Sequence, residues 1–113
     1  MAQDCLFCKI IAGEIPSSKV YEDEHVLAFR DINPLAPVHV LVIPKRHLAS
    51  VAELDPADPL LGHLMAAVQK VAAETGLTGS GYRVVTNAGK DSGQVVFHLH
   101  LHLLGGQTLG PIA

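Results

Sequence analysis

The sequence predicts an α+β domain: a five-stranded antiparallel sheet carrying one long helix and a short N-terminal one. Three observations lead there. Most strand-like segments follow one another with no helix between them, which a parallel doubly wound sheet would require. A single stretch, Pro59 to Thr75, places Leu60, Leu61, Leu64, Met65, Val68, Val71 and Ala72 at three- and four-residue spacing, the pattern of an amphipathic helix. The segment Val95 to Leu104 alternates in the manner of a half-buried strand. With 113 residues, 49% hydrophobic and 17% charged, the chain has material for one core and no room for a second, so one domain over residues 1–113 is expected.

Each element has its own signals. Cys5 to Ala12 reads as a short helix closed by Gly13, with Pro16 beyond it. Lys19 to Tyr21 and Val26 to Phe29 form a hairpin around the acidic stretch Glu22 to Glu24. Asp31 to Pro37 is a connecting loop, since its prolines supply no ladder donor, and His39 to Ile43 is a strand stopped by Pro44. Ser50 to Leu54 has the length of one helical turn, and Asp58 before Pro59 is an N-cap followed by proline. Gly76 ends the long helix; Tyr82 to Thr86 is a strand and Asn87 to Gly93 a polar loop.

Composition excludes several functions. The net charge is −3 and the only basic run is Lys45-Arg46-His47, so nothing clusters cations for a nucleic-acid backbone. The first ten residues carry Asp4 and no basic leader, and no apolar run approaches the roughly 20 residues of a membrane span, so no membrane partner and a cytoplasmic location are expected. Seven histidines in a chain without tryptophan point to imidazole chemistry.

That chemistry concentrates in His98-Leu99-His100-Leu101-His102-Leu103-Leu104. Alternate residues of a strand share a face about 6.5 to 7 Å apart. The three histidines then line one surface while Leu99, Leu101 and Leu103 line the core side. A single histidine here would ordinarily be a satisfied polar residue, but three in register are not explained that way. Crowded imidazoles are hard to charge at neutral pH, and neutral histidine is what nucleophilic or general acid work needs. Spacing leaves two readings open: a His-x-His pair chelating a catalytic metal, or a middle imidazole acting as covalent nucleophile.

The row resembles the His-φ-His-φ-His-φ-φ signature of the histidine triad superfamily at every position. Leu6-Phe7-Cys8-Lys9-Ile10-Ile11, Leu27-Ala28-Phe29-Arg30-Asp31-Ile32, Val40-Leu41-Val42-Ile43-Pro44-Lys45 and Leu103-Leu104-Gly105-Gly106 are similar to its Hint branch, so the likeness runs from Asp4 to Gly106. The resemblance implies the HIT-like fold and a purine nucleotide-binding hydrolase that cleaves nucleoside 5'-phosphoramidates. By motif position His100 would be the nucleophile, one ring nitrogen attacking phosphorus while the other donates to a fixed acceptor such as a backbone carbonyl. His102 would contact the phosphate and assist the leaving group, His98 would complete the catalytic row, and His39 would orient the row from behind. Asp31 would bind the ribose hydroxyls, with Ile32 and Asn33 beside it. Asn87, Gly93, Gln94 and Val95 would frame the phosphate, and Phe7, Ile10, Phe29 and Ile32 would pocket the base. Ile10 reads as plain core equally well.

Two departures from the branch stand out. Val95 and Asn33 occupy positions where it often has serine; valine cannot donate, so phosphate contacts near Val95 are expected from backbone alone. The tail Gln107 to Ala113 lacks the aromatic that some relatives bring across a dimer interface.

Cys5 and Cys8 form a C-x-x-C motif without the βαβ context of a thioredoxin site, which leaves half a zinc site or a redox pair. Zinc-bearing relatives complete the set at positions matched by His47 and His98, so the resemblance implies structural Cys2His2 zinc, with no cofactor required for the chemistry. It also implies a homodimer. Within the superfamily the alternative activities are dinucleoside polyphosphate hydrolysis and nucleotidyl transfer; outside it, the alternative is a non-catalytic nucleotide-binding regulatory protein.

Overall fold

A computed structural model describes residues 5–112; Asp4 and Ala113 lie outside that range. The chain runs α1 (Leu6–Ile11), β1 (Lys19–Glu22), β2 (Val26–Arg30), β3 (Val38–Pro44), a 3-10 turn over Val51–Glu53, α2 (Pro59–Glu74), β4 (Tyr82–Val85), a second 3-10 turn over Lys90–Ser92, and β5 (Leu101–Gly105). The five strands form one sheet in the order β1-β2-β3-β5-β4, every neighbouring pair antiparallel, as expected.

Local signals position the helices. Cys5 caps α1, its Sγ accepting the Cys8 backbone N–H at 3.4 Å. Asp58 caps α2, its Oδ1 accepting the Leu60 N–H at 2.9 Å with Pro59 in the first turn. Thr75 closes that helix, and Gly76, at φ +78°, supplies the left-handed residue that turns the chain. The expected turn at Ser50 to Leu54 is the 3-10 turn, with Ser50 Oγ accepting the Ala52 N–H.

Strand alternation sends side chains to two different layers. Val26, Ala28, Val40, Val42, Leu99, Leu101 and Leu103 pack with Leu64, Val68 and Val71 of α2 in the larger core cluster. Leu27, Phe29, Leu41 and Ile43 pack with Phe7 and Ile10 of α1 on the opposite face. The sheet therefore lies between a long helix and a short one, and the histidine row faces the short one.

The final strand is shorter than its alternation predicts. Only Leu101–Gly105 is laddered, pairing with Val38–Val42 on one side and with β4 on the other, whereas residues 95–100 are not. The reason lies in the neighbours. β3 ends at Pro44, which has no N–H, and β4 ends at Val85, after which Thr86 Oγ1 donates to the His100 carbonyl at 2.8 Å in place of a backbone partner. The Leu99 N–H donates to the Leu48 carbonyl, outside any strand. Alternation of faces survives without the ladder: Leu99 stays in the α2 core while His98 and His100 contact Phe7.

Candidate active site

A cavity of about 740 Å³ opens on the α1 face of the sheet. Its lining brings together Phe7, Ile10, Phe29, Asp31, Ile32, Asn33, His39, Asn87, Gly93, Gln94, Val95, His100 and His102 from α1, β2, β3, β5 and the two long loops. The apolar wall is built around Phe7, whose ring meets Phe29 edge-on at 5.6 Å and His100 at 5.1 Å between centroids. Ile32 and Val95 are almost fully exposed at the mouth.

Backbone groups fix the proton on each ring. A carbonyl only accepts, so the 2.7 Å contact between His100 Nδ1 and the His98 carbonyl requires a proton on Nδ1, leaving the lone pair on Nε2. At the far side, the Leu35 N–H donates to His39 Nδ1 at 3.1 Å, which places the His39 proton on Nε2. That N–H points to His102 Nδ1 at 3.0 Å, with Asp31 Oδ2 at 3.5 Å. His102 Nδ1 therefore accepts, and its own proton sits on Nε2. The rings of His100 and His102 lie 5.0 Å apart, one offering a lone pair and the other an N–H. Burial, reinforced by the neighbouring His100 and His39 rings, pushes His102 down to about 4, and burial lowers His39 as well. Such a pair can attack an electrophilic centre while hydrogen-bonding the anionic oxygens around it.

Asp31 does two jobs. Its Oδ1 accepts the Asn33 N–H at 2.8 Å, the turn-forming role that local sequence alone allows, while the carboxylate lines the cavity. Gln94 is engaged differently from a phosphate ligand: its Oε1 accepts the Gly89 N–H and its Nε2 donates to the carbonyls of Ala49 and Val96. Its side chain holds the loop that carries Gly93, where φ is +87°.

His98 faces away from this cavity. Its Nε2–H donates to the Pro44 carbonyl at 2.8 Å, so Nδ1 carries the lone pair. That nitrogen lies 3.3 Å from Cys5 Sγ, 3.5 Å from Cys8 Sγ and 3.2 Å from His47 Nδ1, and Cys8 Sγ lies 3.3 Å from His47 Nδ1. These four residues are a group able to hold a metal ion. Asp31, His39 and His102 also converge, but the His39 nitrogen in that group carries a proton, so it is a donor and not a lone-pair ligand.

Sequence reasoning missed the wall contributed by Ile15, Pro16, Ser17 and Ser18, together with the Leu35 N–H that sets the His39 tautomer. Pro16 was visible only as a helix breaker, and a backbone N–H leaves no signal in sequence.

Comparison with known proteins identifies the family. A HIT domain matches residues 12–109. The purine nucleoside phosphoramidase of Escherichia coli K12 is 43% identical over 113 residues, covering 99% of this chain and 95% of that protein. An uncharacterised HIT-like protein of Synechococcus elongatus is 54% identical over 110 residues, 96% of each chain. Among solved structures, a HIT family hydrolase from Clostridium thermocellum superposes with a TM-score of 0.92 at 53% identity, covering 96% of each chain. With the five-stranded antiparallel sheet and the complete histidine row in place, the chain belongs to the HIT domain family.

Proposed function

We propose that this HIT family hydrolase cleaves purine nucleoside 5'-phosphoramidates through a nucleotidyl-histidine intermediate. The observation that carries the reading is the hydrogen bond from His100 Nδ1–H to the His98 carbonyl, which leaves Nε2 as a nucleophile in the cavity. The phosphoramidase name of the Escherichia coli relative supports the substrate class.

In this reading the base packs against Phe7, Ile10, Phe29 and Ile32, and Asp31 receives the ribose hydroxyls. Asn87, Gly93 and Val95 border the phosphate, Val95 through its backbone alone. His100 Nε2 attacks the α-phosphorus as the P–N bond breaks. The anionic phosphoryl group beside His102 works against the burial that keeps this ring neutral, so the ring takes a proton from solvent and passes it to the leaving nitrogen. Water then attacks the phosphorus, forming a P–O bond as the His100 N–P bond breaks and giving up its proton to His102, which releases the monophosphate and free His100. His39, held by the Leu35 N–H, positions His102 throughout.

Cys5, Cys8, His47 and His98 fit zinc. Tetrahedral zinc with Zn–S near 2.3 Å and Zn–N near 2.0 to 2.1 Å sets its N–N and S–N donor pairs roughly 3.3 to 3.6 Å apart. The contacts among these donors, 3.2 to 3.5 Å, match that spacing. When bound, zinc supplies a structural cross-link between α1 and the sheet. The same reading joins two chains through the open edge of β4 and the exposed Leu61 and Met65 of α2.

Three outcomes are expected. During turnover of an adenosine phosphoramidate, intact mass spectrometry after an acid-free quench shows a transient AMP adduct that His100→Ala lacks; AMP binding without adduct or hydrolysis in the native protein would favour the regulatory binding protein instead. Native mass spectrometry gives a dimer with one zinc per chain, and Cys8→Ser loses the metal; a metal-free monomer would refute both assignments. The third concerns pH. His102 sits near 4 when folded against its ordinary 6.5, so below 6.5 the unfolded chain binds a proton that the folded one refuses. Stability is full above pH 6.5 and falls toward pH 4, by about 1–2 kcal/mol from His102 after allowance for its partial exposure. Urea midpoints measured across that window should drop, less so in His102→Asn; a flat profile would contradict the burial argument.

A further inference from the structure

The catalytic steps leave Cys5 and Cys8 unused, yet these residues begin the helix that walls the cavity. α1 is six residues long, too short to hold its own hydrogen bonds without tertiary anchors. Its anchors are the packing of Phe7 and Ile10 and the contacts of the two sulfurs with His98 and His47. Phe7 meets the rings of both His98 and His100, so movement at the start of α1 reaches the cavity directly. The side chain of His98 is fully enclosed, and among the described residues the hydrogen-bond partners of its Nδ1 are Cys5, Cys8 and His47. Both thiols are only partly buried, within reach of a small oxidant, and their donor atoms lie within 4.8 Å of each other.

We propose that Cys5 and Cys8 are a site of reversible disulfide formation, which unlatches α1 from His47 and His98 and weakens nucleotide binding in the adjoining cavity. The inference rests on the nucleotide reading above. A peroxide is the oxidant class: one sulfur attacks a peroxide oxygen, giving a sulfenic acid and water, and the second displaces that oxygen as water. The two S–H bonds and one O–O bond are exchanged for one S–S bond and two waters. Disulfide sulfurs neither donate a proton nor serve as thiolate ligands, so the same step releases any cation held by the four donors. It also strips the enclosed His98 Nδ1 of both sulfur contacts and leaves it facing His47 alone, on the residue whose carbonyl fixes the His100 tautomer.

The test compares the full-length, zinc-equilibrated protein under excess dithiol with the same protein after peroxide, with the intramolecular Cys5–Cys8 disulfide verified by peptide mass. Calorimetric titration with AMP should show affinity falling about tenfold on oxidation and recovering with dithiol. A chromophoric chelator should report zinc released in step, and Cys8→Ser should show no oxidant response in AMP affinity. Unchanged AMP affinity in the verified disulfide form, or failure of that disulfide to form, overturns the proposal. If the reduced protein itself does not bind AMP, the nucleotide reading fails, and hydrogen exchange at the amides of residues 6–11 decides the latch separately: faster exchange after oxidation upholds it and unchanged exchange sinks it.

Discussion

The hydrogen bond from His100 Nδ1 to the carbonyl of His98 constrains everything else in the site. An imidazole has two nitrogens and, when neutral, one proton; tying that proton to a backbone oxygen decides which nitrogen can act on a ligand. The same logic runs from the opposite end, where the Leu35 N–H occupies His39 Nδ1 and passes a donor on to His102. Two backbone anchors, one accepting and one donating, thus give adjacent rings opposite characters. Burial protects the His39–His102 end of the arrangement by disfavouring the doubly protonated form of those two rings.

Strand geometry puts these rings where they can be used. Leu101 and Leu103 bind β5 to the α2 core, and the intervening His102 is thereby turned toward α1. Because β5 lies between β3 and β4, His102 sits opposite Leu41 in the register, with His39 two residues along β3 on the same face. His98 lies just before the laddered region, where the chain can bend, and it belongs to the sulfur cluster instead of the cavity. One histidine row therefore serves two sites.

Much of this was legible in the sequence. α2 announced itself through its periodicity, Asp58-Pro59 at one end and Gly76 at the other, all local signals. The alternation of histidine and leucine fixed the faces because period 2 survives even where the ladder stops. The extent of β5 was not legible, since a ladder depends on its neighbours and the missing N–H of Pro44 lies more than fifty residues away in sequence. The convergence of Cys5, Cys8, His47 and His98 came from resemblance, as no local pattern joins residues so far apart. Tautomers were legible only in part: the resemblance implied that His100 donates to a fixed acceptor such as a backbone carbonyl, but every residue but proline carries the same backbone N–H and carbonyl, and only the fold decides which imidazole meets which.

The most direct measurement is nitrogen-15 NMR of the imidazole side chains in the nucleotide-free protein near neutral pH. The account predicts His100 protonated at Nδ1 and bare at Nε2, with His102 the reverse. A His100 carrying its proton on Nε2 would have no lone pair to offer the cavity and would contradict the account.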